Sequence, residues 1–122
     1  MIFGVGTDII EISRVEKAVA GAAFYEKTFT PAERDYLAGK RPQSAAGLFA
    51  AKEAVAKALG TGFYGFRPAD VEILHDKSGK PDVKLYNRAA KIADENSVVK
   101  IHVSISHCVA YAVAYAVAER ES

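Results

Sequence analysis

Asp8, Glu53 and Lys57 are the residues of this 122-residue chain whose chemistry most needs explaining. Asp8 lies in "VGTDIIEISR". Side chains of an extended segment alternate between faces, so Ile2, Gly4, Gly6, Asp8, Ile10 and Ile12 share one side. An ionised carboxylate in that row is costly unless something pairs with it. Glu53 and Lys57 lie one helical turn apart in "FAAKEAVAKALGTG", with Lys52 beside the acid. One reading is a solvated Glu–Lys pair, worth roughly 0.2–0.5 kcal/mol. The neighbours on that side, Ala46, Phe49, Ala50 and Ala54, look instead like a contact face. Asp8 and Glu53 converging on one cation would satisfy both acids. Magnesium suits this pattern, since it takes one or two carboxylates, waters and substrate phosphates. Lys52 and Lys57 would then answer phosphate charge.

These residues need a scaffold. Residues 2–11 alternate and read as a strand; 13–27 read as helical, starting near Ser13 and interrupted around Gly21. "TPAERDYLAG" opens a helix with Thr30 as N-cap, Pro31 in the first position and Glu33 closing a capping box; Gly39 ends it. The long helix spans Ser44 to Leu59. Leu48, Ala51, Val55, Ala58 and Leu59 form its core stripe, and Gly60 stops it. Residues 71–75 and 83–86 read as strands around a turn at 76–82, and 87–95 as a short helix. Strands follow at 98–106 and 109–118. The last alternates Val or Tyr with Ala, and an all-Ala face lets the Ala-rich helix approach closely. The expected fold class is α+β, with helices packed on a mainly antiparallel sheet, in one domain over residues 1–122.

The formal net charge of +1 gives no bulk attraction to nucleic acid or membrane. Cys108 is the only cysteine, which excludes an intrachain disulfide; it is expected as a small buried residue rather than a nucleophile. His75, His102 and His107 have no transition-metal spacing. The N-terminus has no signal-peptide pattern and no apolar run reaches membrane-spanning length, so the default location is the cytoplasm.

Four segments in this order, Gly4–Arg14, Phe49–Gly62 ("FAAKEAVAKALGTG"), Ser78–Pro81 ("SGKP") and His102–His107 ("HVSISH"), resemble the holo-acyl-carrier-protein synthases. These are the small trimeric class of 4′-phosphopantetheinyl transferases. The resemblance implies a homotrimer with active sites at subunit interfaces. It implies transfer of the phosphopantetheine arm of coenzyme A to a serine of an acidic apo acyl-carrier protein, with Mg²⁺, releasing adenosine 3′,5′-bisphosphate. Asp8 and Glu53 are then metal ligands, and Lys57 stabilises phosphate charge. Glu53, or a metal-bound water near it, is the candidate base. Lys52, Gly60, Thr61, Gly62, Ser78, Gly79, Lys80, Pro81, Ser106 and His107 are implied along the coenzyme site, the last two from a neighbouring subunit. Arg14, with Lys17, is implied in carrier docking. Relatives often carry arginine just before "FAAKE"; this chain has Leu48, and Lys52 or Arg41 would have to compensate. By the residues alone, "SGKP" reads first as an ordinary hairpin turn, and a plain helix stop explains Gly60 equally well. The alternatives are a non-catalytic coenzyme- or nucleotide-binding trimer and a metal-dependent phosphohydrolase.

Overall fold

The computed structural model describes residues 1–121. In chain order the elements are β1 (Ile2–Glu11), α1 (Ile12–Val19), α2 (Ala22–Thr28), α3 (Pro31–Leu37) and α4 (Pro42–Ala58). A short 3-10 turn (Pro68–Asp70) precedes β2 (Val71–His75), β3 (Pro81–Leu85), α5 (Asn87–Glu95), β4 (Val98–His107) and β5 (Tyr111–Arg120). The architecture is α+β. One antiparallel sheet has the order β1-β5-β4, and β2 and β3 form a separate hairpin.

The core forms where α4 lies on the three-stranded sheet. Ala112, Ala114, Ala116 and Ala118 of β5 are buried, as the small-residue face anticipated. On β1 the closeness goes further. A Cβ on Gly4 would sit 2.2 Å from the Ala58 carbonyl oxygen, and one on Gly6 would sit 2.0 Å from that of Ala54. Only glycine lets the helix backbone touch the strand here. Asp8, two residues beyond Gly6 on the same strand face, is thereby held against α4.

α4 is buried nearly all round, which corrects the expected division of its surface. Ala46, Ala50 and Ala54, expected on a contact face, are fully buried in the core with Leu48 and Val55. From Leu48 onward, only Phe49, Glu53 and Lys57 of α4 escape burial. They are spaced four residues apart and form one narrow stripe.

Element ends differ modestly from the sequence reading. Pro42, at the first helical position, starts α4 two residues before Ser44. β5 starts at Tyr111 because the Cys108 N–H donates to the Tyr111 carbonyl and closes a turn. Cys108 is exposed in that turn, not buried as expected. The capping box at Thr30 and Glu33 is present as read.

Candidate active site

Strand β1 and helix α4 bring Asp8, Glu53 and Lys57 together. The Lys57 ammonium lies 3.3 Å from Asp8 Oδ1 and donates to the Thr7 carbonyl at 2.9 Å. Lys57 thus reaches across to the strand, and the simple Glu53–Lys57 helix pair is not among the ion pairs of the described residues. Burial raises the Glu53 carboxyl above its ordinary range; the Asp8 charge adds to this and Lys57 opposes it. The two acids therefore feel one another, each on the edge of the same cleft. Arg14, from the first turns of α1, lines that cleft with Phe49 and Tyr111. β1 runs into α1 without a linker, so the strand that carries Asp8 also fixes Arg14. Lys17 is exposed farther along α1 and does not line the cleft. Tyr111 gave no signal in the sequence beyond its place in the alternation.

Lys52 has a different place from the one expected. It is fully buried, and its ammonium is taken up by Glu33 Oε1 at 2.7 Å and the carbonyls of Val71 at 2.6 Å and Pro68 at 3.0 Å. Three donors meet three acceptors, so no proton remains for a phosphate. Desolvation lowers its pKa, with Glu33 opposing. Glu33 in turn accepts the Ile73 N–H at 2.8 Å and the Thr30 N–H at 2.9 Å. Lys52 is therefore a tie between α4, α3 and β2. Of the two cations offered to compensate for Leu48, only Arg41, exposed at the start of α4, stays at the surface.

The "SGKP" turn is organised by a residue the sequence reading passed over. Asp76 Oδ1 accepts from Ser78 N at 2.9 Å, Ser78 Oγ at 2.6 Å and Lys80 N at 2.9 Å. The hydrogen bond from the Ser78 hydroxyl, then that from Lys80, holds the Asp76 carboxyl below its usual range. An aspartate two residues before Ser-Gly is a recognisable turn signal. Gly79 and Pro81 line a cavity of about 310 Å³ with His107, Ser44, Leu48 and His75. Lys80 lines an adjoining hollow with His102 and Lys100. Ser106 is exposed and pairs with Val113 across β4 and β5. Gly60, Thr61 and Gly62 close the end of α4, where both Thr61 N and Gly62 N donate to the Ala56 carbonyl. The two glycines have φ of +89° and +58°, with open space where a Cβ would stand.

The two cavities lie on different flanks of α4. At about 100° per residue, Ser44 and Leu48 face away from Phe49 and Glu53. In one copy of the chain the acids and the "SGKP"–His107 group do not share a cavity.

Residues 4–116 match the family model described as the 4′-phosphopantetheinyl transferase superfamily. The chain belongs to this superfamily. Among similar curated proteins, the holo-[acyl-carrier-protein] synthase of Clostridium perfringens is 48% identical over 128 residues, covering 99% of this chain and 96% of the relative. The crystal structure of the Neisseria meningitidis holo-[acyl-carrier-protein] synthase superposes with a TM-score of 0.89 at 35% identity, covering 98% of this chain and 100% of that one. A Bacillus anthracis holo-(acyl-carrier-protein) synthase in complex with CoA (3′,5′-ADP) gives a TM-score of 0.82 at 36% identity, covering 99% of each chain. As a 4′-phosphopantetheinyl transferase of the holo-[acyl-carrier-protein] synthase type, the chain is an enzyme.

Proposed function

We propose that the enzyme moves the 4′-phosphopantetheine arm of coenzyme A onto a serine hydroxyl of an acidic apo acyl-carrier protein, in a Mg²⁺-dependent reaction that leaves adenosine 3′,5′-bisphosphate. The observation that carries this reading is the convergence of Asp8, Glu53 and Arg14 on one cleft, with Lys57 bound to Asp8, in a chain of this family.

The donor set fits a hard divalent ion. Asp8 and the Thr7 carbonyl already draw a cation, the Lys57 ammonium, and Glu53 lines the same cleft as Asp8. Asp8 and Glu53 would hold Mg²⁺, which supplies Lewis-acid stabilisation of pyrophosphate oxygens when bound. Lys57 is half exposed and can turn from Asp8 toward phosphate oxygens as negative charge grows on them. Glu53, with its proton affinity raised by burial, is suited to accept the proton of the attacking serine. Arg14, exposed at the rim, meets the acidic carrier and helps orient it.

The coenzyme lies between copies of the chain in a homotrimer, with one copy providing Asp8, Glu53 and Lys57 and a neighbour providing Ser106 and His107. Two features favour this. The catalytic acids and His107 line separate cavities in one protomer. The outer face of the sheet leaves Val5, Ile9, Tyr111, Val113 and Tyr115 between 37% and 66% exposed on neighbouring strands, a contiguous apolar surface of the kind that associates. A reducing, cytoplasmic setting suits the exposed Cys108 thiol.

Intact-mass measurement of an apo acyl-carrier protein incubated with the enzyme, coenzyme A and Mg²⁺ tests the reading. One phosphopantetheine arm per carrier is expected. Coenzyme A binding with no mass gain would instead favour a binding module. Release of free phosphopantetheine without carrier would favour hydrolysis.

A further inference from the structure

The start of α1 carries two charges opposite in sign to Arg14. Glu11 stands at the N-cap of α1, yet its side chain makes no capping hydrogen bond. Glu16 follows in the same helix. Both are exposed, and neither belongs to an ion pair among the described residues. They line a hollow of about 270 Å³ between α1 and the turn that joins β4 to β5. Ile12, Val109 and Ala110 give that hollow an apolar wall. The Ile12 N–H donates to the Ala110 carbonyl at 2.9 Å and ties the turn to the helix, which fixes the shape of the hollow. Val109 is 93% exposed, so the turn offers an apolar side chain that nothing in its own protomer covers.

The volume lies below the range of small-molecule sites and suits a single long side chain. An apolar wall beside two carboxylates matches a lysine or arginine, whose stem packs on carbon while its head keeps to the charged rim. The location indicates whose side chain this is. Glu11 and Tyr111 line both this hollow and the catalytic cleft, so the two adjoin. At about 100° per residue, Arg14 and Glu16 point to opposite flanks of α1. A carrier protein whose serine reaches Glu53 and whose acids meet Arg14 therefore lies beside Glu16 as well. Left unmet, the two acids repel an acidic partner. Met by one basic side chain, they hold it and disfavour carriers that lack it.

We propose that Glu16, with Glu11, receives a basic side chain of the acyl-carrier protein and so determines which carrier is accepted. This rests on the proposed transfer to an acyl-carrier protein.

Steady-state transfer to the organism's own apo acyl-carrier protein tests it, with Glu16→Gln, Glu16→Lys and a set of carriers in which each lysine and arginine is replaced in turn by glutamine. By net charge alone, an acidic carrier would bind Glu16→Lys better and its KM would fall. A basic contact reverses that sign. The carrier KM should rise about two- to three-fold in Glu16→Gln and at least about five-fold in Glu16→Lys, with kcat and the coenzyme A KM unchanged. One carrier replacement should raise the KM of the natural enzyme yet have no further effect in Glu16→Gln. A carrier KM that falls or stays the same in Glu16→Lys overturns the proposal, as does a carrier set with no replacement coupled to Glu16. A smaller species in sedimentation of Glu16→Lys also overturns it, since a second copy of the chain would then cover the hollow. A natural enzyme that arms no carrier overturns the transfer assignment, and this proposal with it.

Discussion

Asp8 draws the Lys57 ammonium to 3.3 Å, and in the proposed reaction this makes Lys57 a competitor of the metal as well as a helper. Replacing it by methionine removes the competing charge while keeping the stem. Lys57→Met should therefore bind Mn²⁺ more tightly, read by electron paramagnetic resonance, yet lose transfer by about 10²–10³-fold. Weaker or unchanged Mn²⁺ binding would show that Lys57 does not contest the site. Arg14→Ala should raise the carrier-protein KM and flatten its salt dependence with little change in kcat; an unaltered KM would remove Arg14 from the docking surface. At this scale the need of Asp8 for a cation was legible, because strand parity places it beside Gly4 and Gly6. The fate of Lys52 was not. A lysine beside an acid in a helix reads the same whether exposed or buried, and its partner Glu33 had already been given a role in the capping box.

The meeting of α4 with β1 is what aims the two acids at one another. Gly6→Ala places a methyl 2.0 Å from the Ala54 carbonyl oxygen and 2.7 Å from Ala58 N, both backbone atoms that cannot swing aside. The cost should reach about 1–3 kcal/mol or more, read as a fall in Tm, and metal affinity should fall with it as Asp8 and Glu53 separate. Gly60→Ala, where a Cβ meets open space, is the contrasting variant and should lose only about 1 kcal/mol. Lys52→Ala leaves Glu33 buried without its cation, so about 3–5 kcal/mol of stability should be lost in chemical denaturation. Lys52→Met together with Glu33→Gln should lose less than the sum of the two single changes, since both act on one contact. Helix and strand identities were largely readable from period and caps. The burial of α4 on nearly every side was not, because alanine is compatible with either a surface or a core, and only the glycine and alanine faces of β1 and β5 decide which it is.

At the scale of the whole molecule, the proposed homotrimer ties the apolar outer sheet face to the two separate cavities. Val113→Asp puts a charge in the middle of that face without touching the Ala side that meets α4. Sedimentation should show a smaller species, and transfer should fall with assembly. A variant that stays assembled, or a dissociated one that stays active, would separate the face from the site. The sequence pointed to an assembly only through resemblance, since Val and Tyr alternating with Ala describe a half-covered sheet whichever side is covered. The proposed reaction requires strand β1 and helix α4 to share one divalent ion. Mn²⁺ titration of the natural enzyme, Asp8→Asn, Glu53→Gln and the double variant tests that directly. One ion per active site is expected, with weakened binding in each single variant and a double variant whose loss differs clearly from the sum of the two. Additive losses, or full affinity in either single variant, would contradict it.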